Sequence, residues 1–201
     1  MTLPLKISRK LALFLAALGF SMAGVALSVD LHDFVETPWY LWLWVPICSL
    51  YPFLLGVNYL FFVWRGEFPR FLLIFTLVGI FGYGMVAPVF YGLYLFEHGF
   101  GWYEFGNIFW VWLYAAQGFL LLPYVRRVSC LPWWQFFLVA GYFFVKDFLD
   151  RFSVTWSYVR YEMLSQWHMN LVFVALVLVH GLLLVWLMRL ALPKASVSSK
   201  H

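Results

Sequence analysis

Seven residues place polar or ionisable chemistry within long apolar stretches: Asn58, Gln117, Lys146, Asp147, His168, Asn170 and His180. Groups of this kind are costly in an apolar surround, so each needs an account. Asp147 and Asp150 are three apart and would share one face of a helix. Paired carboxylates bind cations or relay protons, but Lys146 and Arg151 flank this pair, so a local ion-pair cluster is the expected arrangement. Lys146 and Asp147 sit at the outer end of their stretch, where they can snorkel to water or pair with Asp150 and Arg151. His180 is the one histidine near the middle of a stretch. A haem held between helices needs a second axial ligand, and His32, His98, His168 and His201 lie in loops, at stretch ends or in the tail. His168 and His180 lie about 120° apart around a helix of 3.6 residues per turn, so they do not form one stripe. A hydrogen-bonded histidine between helices is the expectation; haem with methionine or a single ligand stays open on this spacing. The chain has no HExxH, GxSxG, Walker or CxxC pattern, which leaves the common hydrolase, nucleotide and redox-thiol chemistries without residues.

The elements that must position these groups follow from composition. Of 201 residues, 65% are hydrophobic, 23% aromatic and 11% charged. Soluble domains are nearer half apolar and a quarter charged, so lipid is the expected solvent for most of this chain. The net charge of +4 comes from short basic clusters between apolar runs, the pattern of topology determinants rather than of a nucleic-acid face. Two cysteines, Cys48 and Cys130, are too few for a disulfide framework and read as small apolar residues at different depths.

A span needs about 20 mostly apolar residues. Six stretches qualify: Leu11 to Val29, Trp39 to Trp64, Phe71 to Phe96, Ile108 to Tyr124, Trp133 to Leu149 and His168 to Leu190. The expected fold is therefore all-α: one domain over 1–193, an integral membrane bundle of six transmembrane helices, with a disordered cytoplasmic tail over 194–201. Lys6, Arg9 and Lys10 before the first run also resemble a signal peptide, but the run is long and its small-residue cleavage site is weak. With the N-terminus inside, ten of the thirteen basic residues fall on the cytoplasmic side, leaving Lys146, Arg151 and Arg160 outside. Of the acidic residues only Glu67 is inside. This is the positive-inside pattern, and it predicts both termini in the cytoplasm.

Pro46, Pro52 and Pro88 interrupt spans and predict kinks. Gly79, Gly82, Gly84 and Gly92 predict close helix approach in the third span. Trp39, Tyr40 and Trp42 open the second span, Trp64 closes it, and Trp133 and Trp134 open the fifth, where amphipathic rings favour headgroup depth.

The run Glu36-Thr-Pro-Trp-Tyr-Leu-Trp-Leu-Trp-Val-Pro46 resembles the signature of the YpjA-like membrane proteins, a small bacterial and archaeal family of unknown function. Asp147-Phe-Leu-Asp150 stands where that family has an Asp-x-x-Asp motif. Two positions depart: Ile47 and Cys48 replace an acidic residue, and Ala115, Ala116 and Gln117 stand where the family has a histidine. The resemblance implies the small membrane subunit that accompanies bacterial quinol–cytochrome c oxidoreductase (cytochrome bc) complexes. Its partners would be cytochrome b, cytochrome c and Rieske subunits and membrane lipid, with no nucleic acid, in the bacterial inner membrane. No intrinsic cofactor is expected; haem, iron–sulfur cluster and quinone would belong to the partners.

A non-catalytic accessory or assembly subunit is thus the leading expectation. Candidate lipid, quinone or partner contacts are Trp39, Tyr40, Trp42, Pro46, Asp147, Asp150, Arg151 and His180; no catalytic or metal-binding residue is assigned. The alternative is a free-standing membrane enzyme acting on lipid or isoprenoid, with Asp147 and Asp150 at the outer interface. A small transporter is weakened by the scarcity of charge inside the spans and the lack of an evident inverted repeat.

Overall fold

The computed structural model describes residues 7–42, 44, 49–128, 130–151 and 164–191. Pro46, Cys48, Arg160, Glu162 and the 194–201 tail lie outside the described residues. Six α-helices follow in order: α1 (Arg9–Glu36), α2 (Leu50–Arg65), α3 (Arg70–His98), α4 (Trp102–Val125), α5 (Trp133–Arg151) and α6 (Gln166–Ala191). There is no strand among the described residues.

Local chemistry sets the ends. Ser8 caps α1 by accepting the Leu11 amide at 3.1 Å, and Ser165 accepts the His168 amide at 3.4 Å at the start of α6. Gly66, at φ 77°, ends α2, its N–H bonding the Phe62 carbonyl. That left-handed turn is open to glycine at little steric cost. Pro69 and Pro132 stand just before α3 and α5.

The second apolar stretch departs from its expected form. Trp39–Leu41 is a single 3-10 turn, and the helix proper is α2, starting at Leu50. The reason lies in the Trp42 indole, which donates to the Phe34 and Thr37 carbonyls at 3.0 Å each. The aromatic run thereby covers the carbonyl end of α1, which itself runs to Glu36, two turns past its apolar stretch. Pro52 does not kink α2. It sits in the first turn, where its missing N–H had no helical partner, and the ladder begins with Phe53 to Ser49. Pro88 lies inside α3, which continues through it.

α3 is the central element, packed against α2, α4, α5 and α6, while α1 lies mainly on α2 and α5 on α6. The α1–α2 seam is backbone on backbone: a Cβ at Gly19 would lie 2.8 Å from the Pro52 carbonyl oxygen. Four helices (α1, α3, α4 and α6) hold segments long and apolar enough to cross a membrane. α2 has 16 residues, roughly 24 Å of helix at 1.5 Å per residue. α5 has 19 residues and carries Lys146, Asp147, Asp150 and Arg151. Outward faces are strongly apolar, with Phe14, Phe109, Phe119, Phe137, Trp167 and Leu182 exposed. A water-soluble protein rarely exposes so many large apolar side chains; a lipid-facing one does.

Candidate functional site

Lys146, Asp147 and Asp150 of α5 turn into the bundle rather than out of it, while Arg151 is half-buried. Lys146 is 0% exposed, Asp147 1%, Asp150 2% and His180 3%. Lys146 therefore does not snorkel: one helical turn on, it finds the Asp150 carboxylate and pairs with it. Asp147 takes a different partner. Its Oδ2 lies 2.8 Å from Nδ1 of His180 on α6, and its Oδ1 accepts from the Tyr83 hydroxyl of α3 at 3.4 Å. Three helices thus meet on one carboxylate.

His180 is clamped on several sides. The Phe143 ring lies 4.5 Å from the imidazole, centroid to centroid, and Tyr83 meets it edge-on at 5.0 Å. A Cβ at Gly82 would lie 2.0 Å from Nε2, so only glycine leaves room for the ring. Gly79 does the same for Tyr51, whose ring a Cβ would approach to 2.0 Å. Gly84 faces Ala115 on α4, but nothing comes within 4 Å of a Cβ at Gly92, so the expected glycine face ends before it.

The contact joins an end of one helix to the middle of another. His180 stands 14 residues after Gln166 and 11 before Ala191, roughly 21 and 17 Å of helix from the two ends. Asp147, in the last turns of α5, is thus bonded to the middle of α6.

Arg151 looks across to the start of α6. Its Nε donates to Asn170 Oδ1 at 2.9 Å, and a terminal nitrogen reaches Gln166 Oε1 at 3.1 Å. Beside it Glu97, near the end of α3, meets His168 Nδ1 and accepts the Ser165 amide at 3.1 Å. His168 is thus tied to the end of the bundle, as its position in the sequence implied. The remaining polar groups join helices. Asn58 donates to Thr76 Oγ1 at 2.9 Å, linking α2 to α3, and Gln117 donates to the Met22 sulfur at 3.2 Å, linking α4 to α1.

Trp39 and Tyr40 are exposed and edge-on to one another at 6.0 Å. Trp44, from the same run, stacks on Tyr142 of α5 at 4.9 Å. The aromatic run therefore reaches α5 through a residue not singled out beforehand. Tyr83 and Tyr51 were also missed, although a tyrosine inside an apolar span carries a hydroxyl that seeks a partner. Among the described residues, no group of three or more His, Cys, Asp or Glu could hold a metal ion.

A cavity of about 220 Å³ lies against the pair, with walls that include Val78, Phe143, Asp147, His180 and Gly181. A second, of about 420 Å³, lies between the first turn of α5 and the last of α6, beside Trp133 and Arg189. No family model matches the chain, and no curated protein or solved structure matches it significantly.

Proposed function

We propose that this chain is a six-span membrane subunit with both termini cytoplasmic, serving a cytochrome bc-type respiratory complex as an accessory or assembly subunit. The observation carrying its intramembrane character is the inward pairing of α5. Lys146 with Asp150, Asp147 with His180, and Arg151 with Asn170 and Gln166 give all four charged side chains of that helix a polar partner. An unpaired charge at a bilayer's centre costs about 2.5–3.5 kcal/mol even on the most lenient scale. Pairing lets a helix with four charges sit in lipid, while Phe144 and Phe148 stay outward. α2, with the aromatic segment before it, supplies the remaining span.

The orientation has support from the helix ends. Arg9, Lys10, Arg65, Arg70, Arg126, Arg127 and Arg189 stand at the start of α1, end of α2, start of α3, end of α4 and end of α6. An alternating path puts all of these on one face, and the positive-inside bias makes that face cytoplasmic. The partner reading draws on the aromatic–proline run. On it, haem, iron–sulfur cluster and the redox site for quinone reside in cytochrome b, cytochrome c and Rieske subunits of the bacterial inner membrane. The free-standing enzyme draws less support, because Asp147 and Asp150 address different partners and do not converge on one outer-interface site.

The test is a mild-detergent affinity purification of the tagged chain, with mass spectrometry and a reduced-minus-oxidised visible spectrum. Cytochrome b, cytochrome c and Rieske subunits in fixed ratio, with haem bands, are the expected recovery. The chain alone, without haem bands, would overturn the partner reading and leave the membrane topology standing.

A further inference from the structure

The larger cavity lies away from the buried pairs, and its volume of about 420 Å³ falls within the roughly 300–1,000 Å³ of ligand pockets. Its walls include Trp133 and Phe136 from the start of α5 and Val185, Met188 and Arg189 from the end of α6. Cys130, just before α5, stands on the same wall, its Sγ 3.9 Å from the Met188 carbonyl oxygen. Trp133, Val185 and Arg189 are exposed, so the cavity opens to whatever surrounds the bundle.

Polar and apolar groups separate along the helix axes. Arg189 stands in the last turn of α6, and Val185 one turn deeper. Trp133 is the first residue of α5, and Phe136 lies about a turn further in. A guanidinium and an indole N–H therefore stand at the rim, with hydrocarbon side chains below them. Among the described residues, neither the Arg189 side chain nor the Trp133 N–H has a hydrogen-bond or ion-pair partner. A second guanidinium is close: Arg70, at the start of α3, donates to the Cys130 carbonyl at 3.2 Å. No acidic residue stands on the described wall, and Glu67, at the same end of the bundle, lies on the turn between α2 and α3. The rim thus complements an anion and the walls an acyl chain. Basic pockets between helices at the cytoplasmic side are where anionic lipid headgroups bind.

We propose that this cavity holds one anionic phospholipid, its phosphate on Arg189 and the Trp133 indole and one acyl chain against Phe136, Val185 and Met188. The site rests on the membrane-spanning reading above; the orientation sets only the leaflet, and no partner complex enters. A zwitterionic phospholipid fits the same walls, but its ammonium offsets the charge that the arginine recognises.

The experiment is native mass spectrometry of the full chain in detergent micelles carrying equimolar dioleoyl phosphatidylglycerol and dioleoyl phosphatidylcholine. Among one-lipid adducts the phosphatidylglycerol form is expected to lead by about fivefold, the scale of one basic residue at a headgroup. Arg189→Gln should bring the two lipids near parity. Arg126→Gln should leave the preference intact, since Arg126 is also exposed at this end of the bundle but is not on the wall. Val185→Trp should deplete both adducts by filling the acyl seat. All three positions are exposed, so the fold is retained. Equal retention of the two lipids, equal effects of Arg189→Gln and Arg126→Gln, or unchanged adducts in Val185→Trp would each overturn the proposal. A chain that stays monodisperse without detergent would overturn the membrane-spanning reading and the proposal with it.

Discussion

Asp147 and His180, 33 positions apart in sequence, meet at 2.8 Å in the interior of the bundle and join the middle of α6 to the last turns of α5. Both are almost fully buried. The pair converts two groups that are each unfavourable in lipid into one hydrogen-bonded unit, and Tyr83 extends it to α3. Antiparallel packing of α5 and α6 brings Arg151 to Asn170 at one end.

The two residues should therefore be coupled. Asp147→Ala or His180→Ala alone is expected to cost about 3–5 kcal/mol, the cost of stranding one member of a buried pair. The double variant should lose at least about 1 kcal/mol less than the two singles added together. Reversible unfolding in detergent micelles, read by tryptophan fluorescence, gives all four corners of this cycle.

Gly82 and Gly92 test whether the glycines of α3 are equivalent. Gly82→Ala would put a methyl 2.0 Å from His180 Nε2, whereas Gly92→Ala meets nothing within 4 Å. The first should destabilise by about 1–3 kcal/mol through forced displacement of the ring. The second should fall within about 0.5 kcal/mol of the parent. Thermal unfolding of both variants side by side checks the difference.

Composition and apolar run length were enough to read five of the six helices, because lipid demands long uninterrupted apolar segments. Charge pattern marked where several of them end. The pairing inside the bundle was less legible. For Lys146 the sequence left snorkelling and pairing with Asp150 or Arg151 both open, because position alone does not say which way a helix face turns; the structure takes the pairing with Asp150. Asp147 was singled out for its neighbour Asp150, but its partner lies on another helix, and no local spacing encodes that. His180 was identified by depth, and its need for a hydrogen bond was clear; that the bond goes to Asp147 depends on how α5 and α6 register. The second stretch misled because its apolar run is continuous, whereas Trp42 folds back onto the end of α1.

Lys146 and Asp150 form the second buried pair. Lys146→Met should destabilise by about 3–5 kcal/mol, while Lys146→Met combined with Asp150→Leu should recover most of the loss, since the apolar pair strands no charge. Arg151→Ala should cost less, about 1–2 kcal/mol, because Arg151 is only half-buried and bonds neutral amides. Chemical denaturation midpoints of the purified variants order the three.

Orientation is testable at the two positive-φ glycines, Gly66 and Gly99, which end α2 and α3. With Cys48 and Cys130 changed to serine, a membrane-impermeant maleimide applied to intact cells should label Gly99→Cys and spare Gly66→Cys. Permeabilised cells should give label at both. The reverse pattern would invert the topology.

Nitrogen-15 magic-angle-spinning NMR of His180 in lipid bilayers tests the Asp147–His180 contact most directly. The account predicts a protonated Nδ1 with the downfield proton shift of a bond to a carboxylate, correlated through space with the Asp147 carboxyl carbon and lost in Asp147→Asn. A His180 signal indifferent to Asp147→Asn, and exchanging freely with water, would contradict it and remove the site on which the functional reading is built.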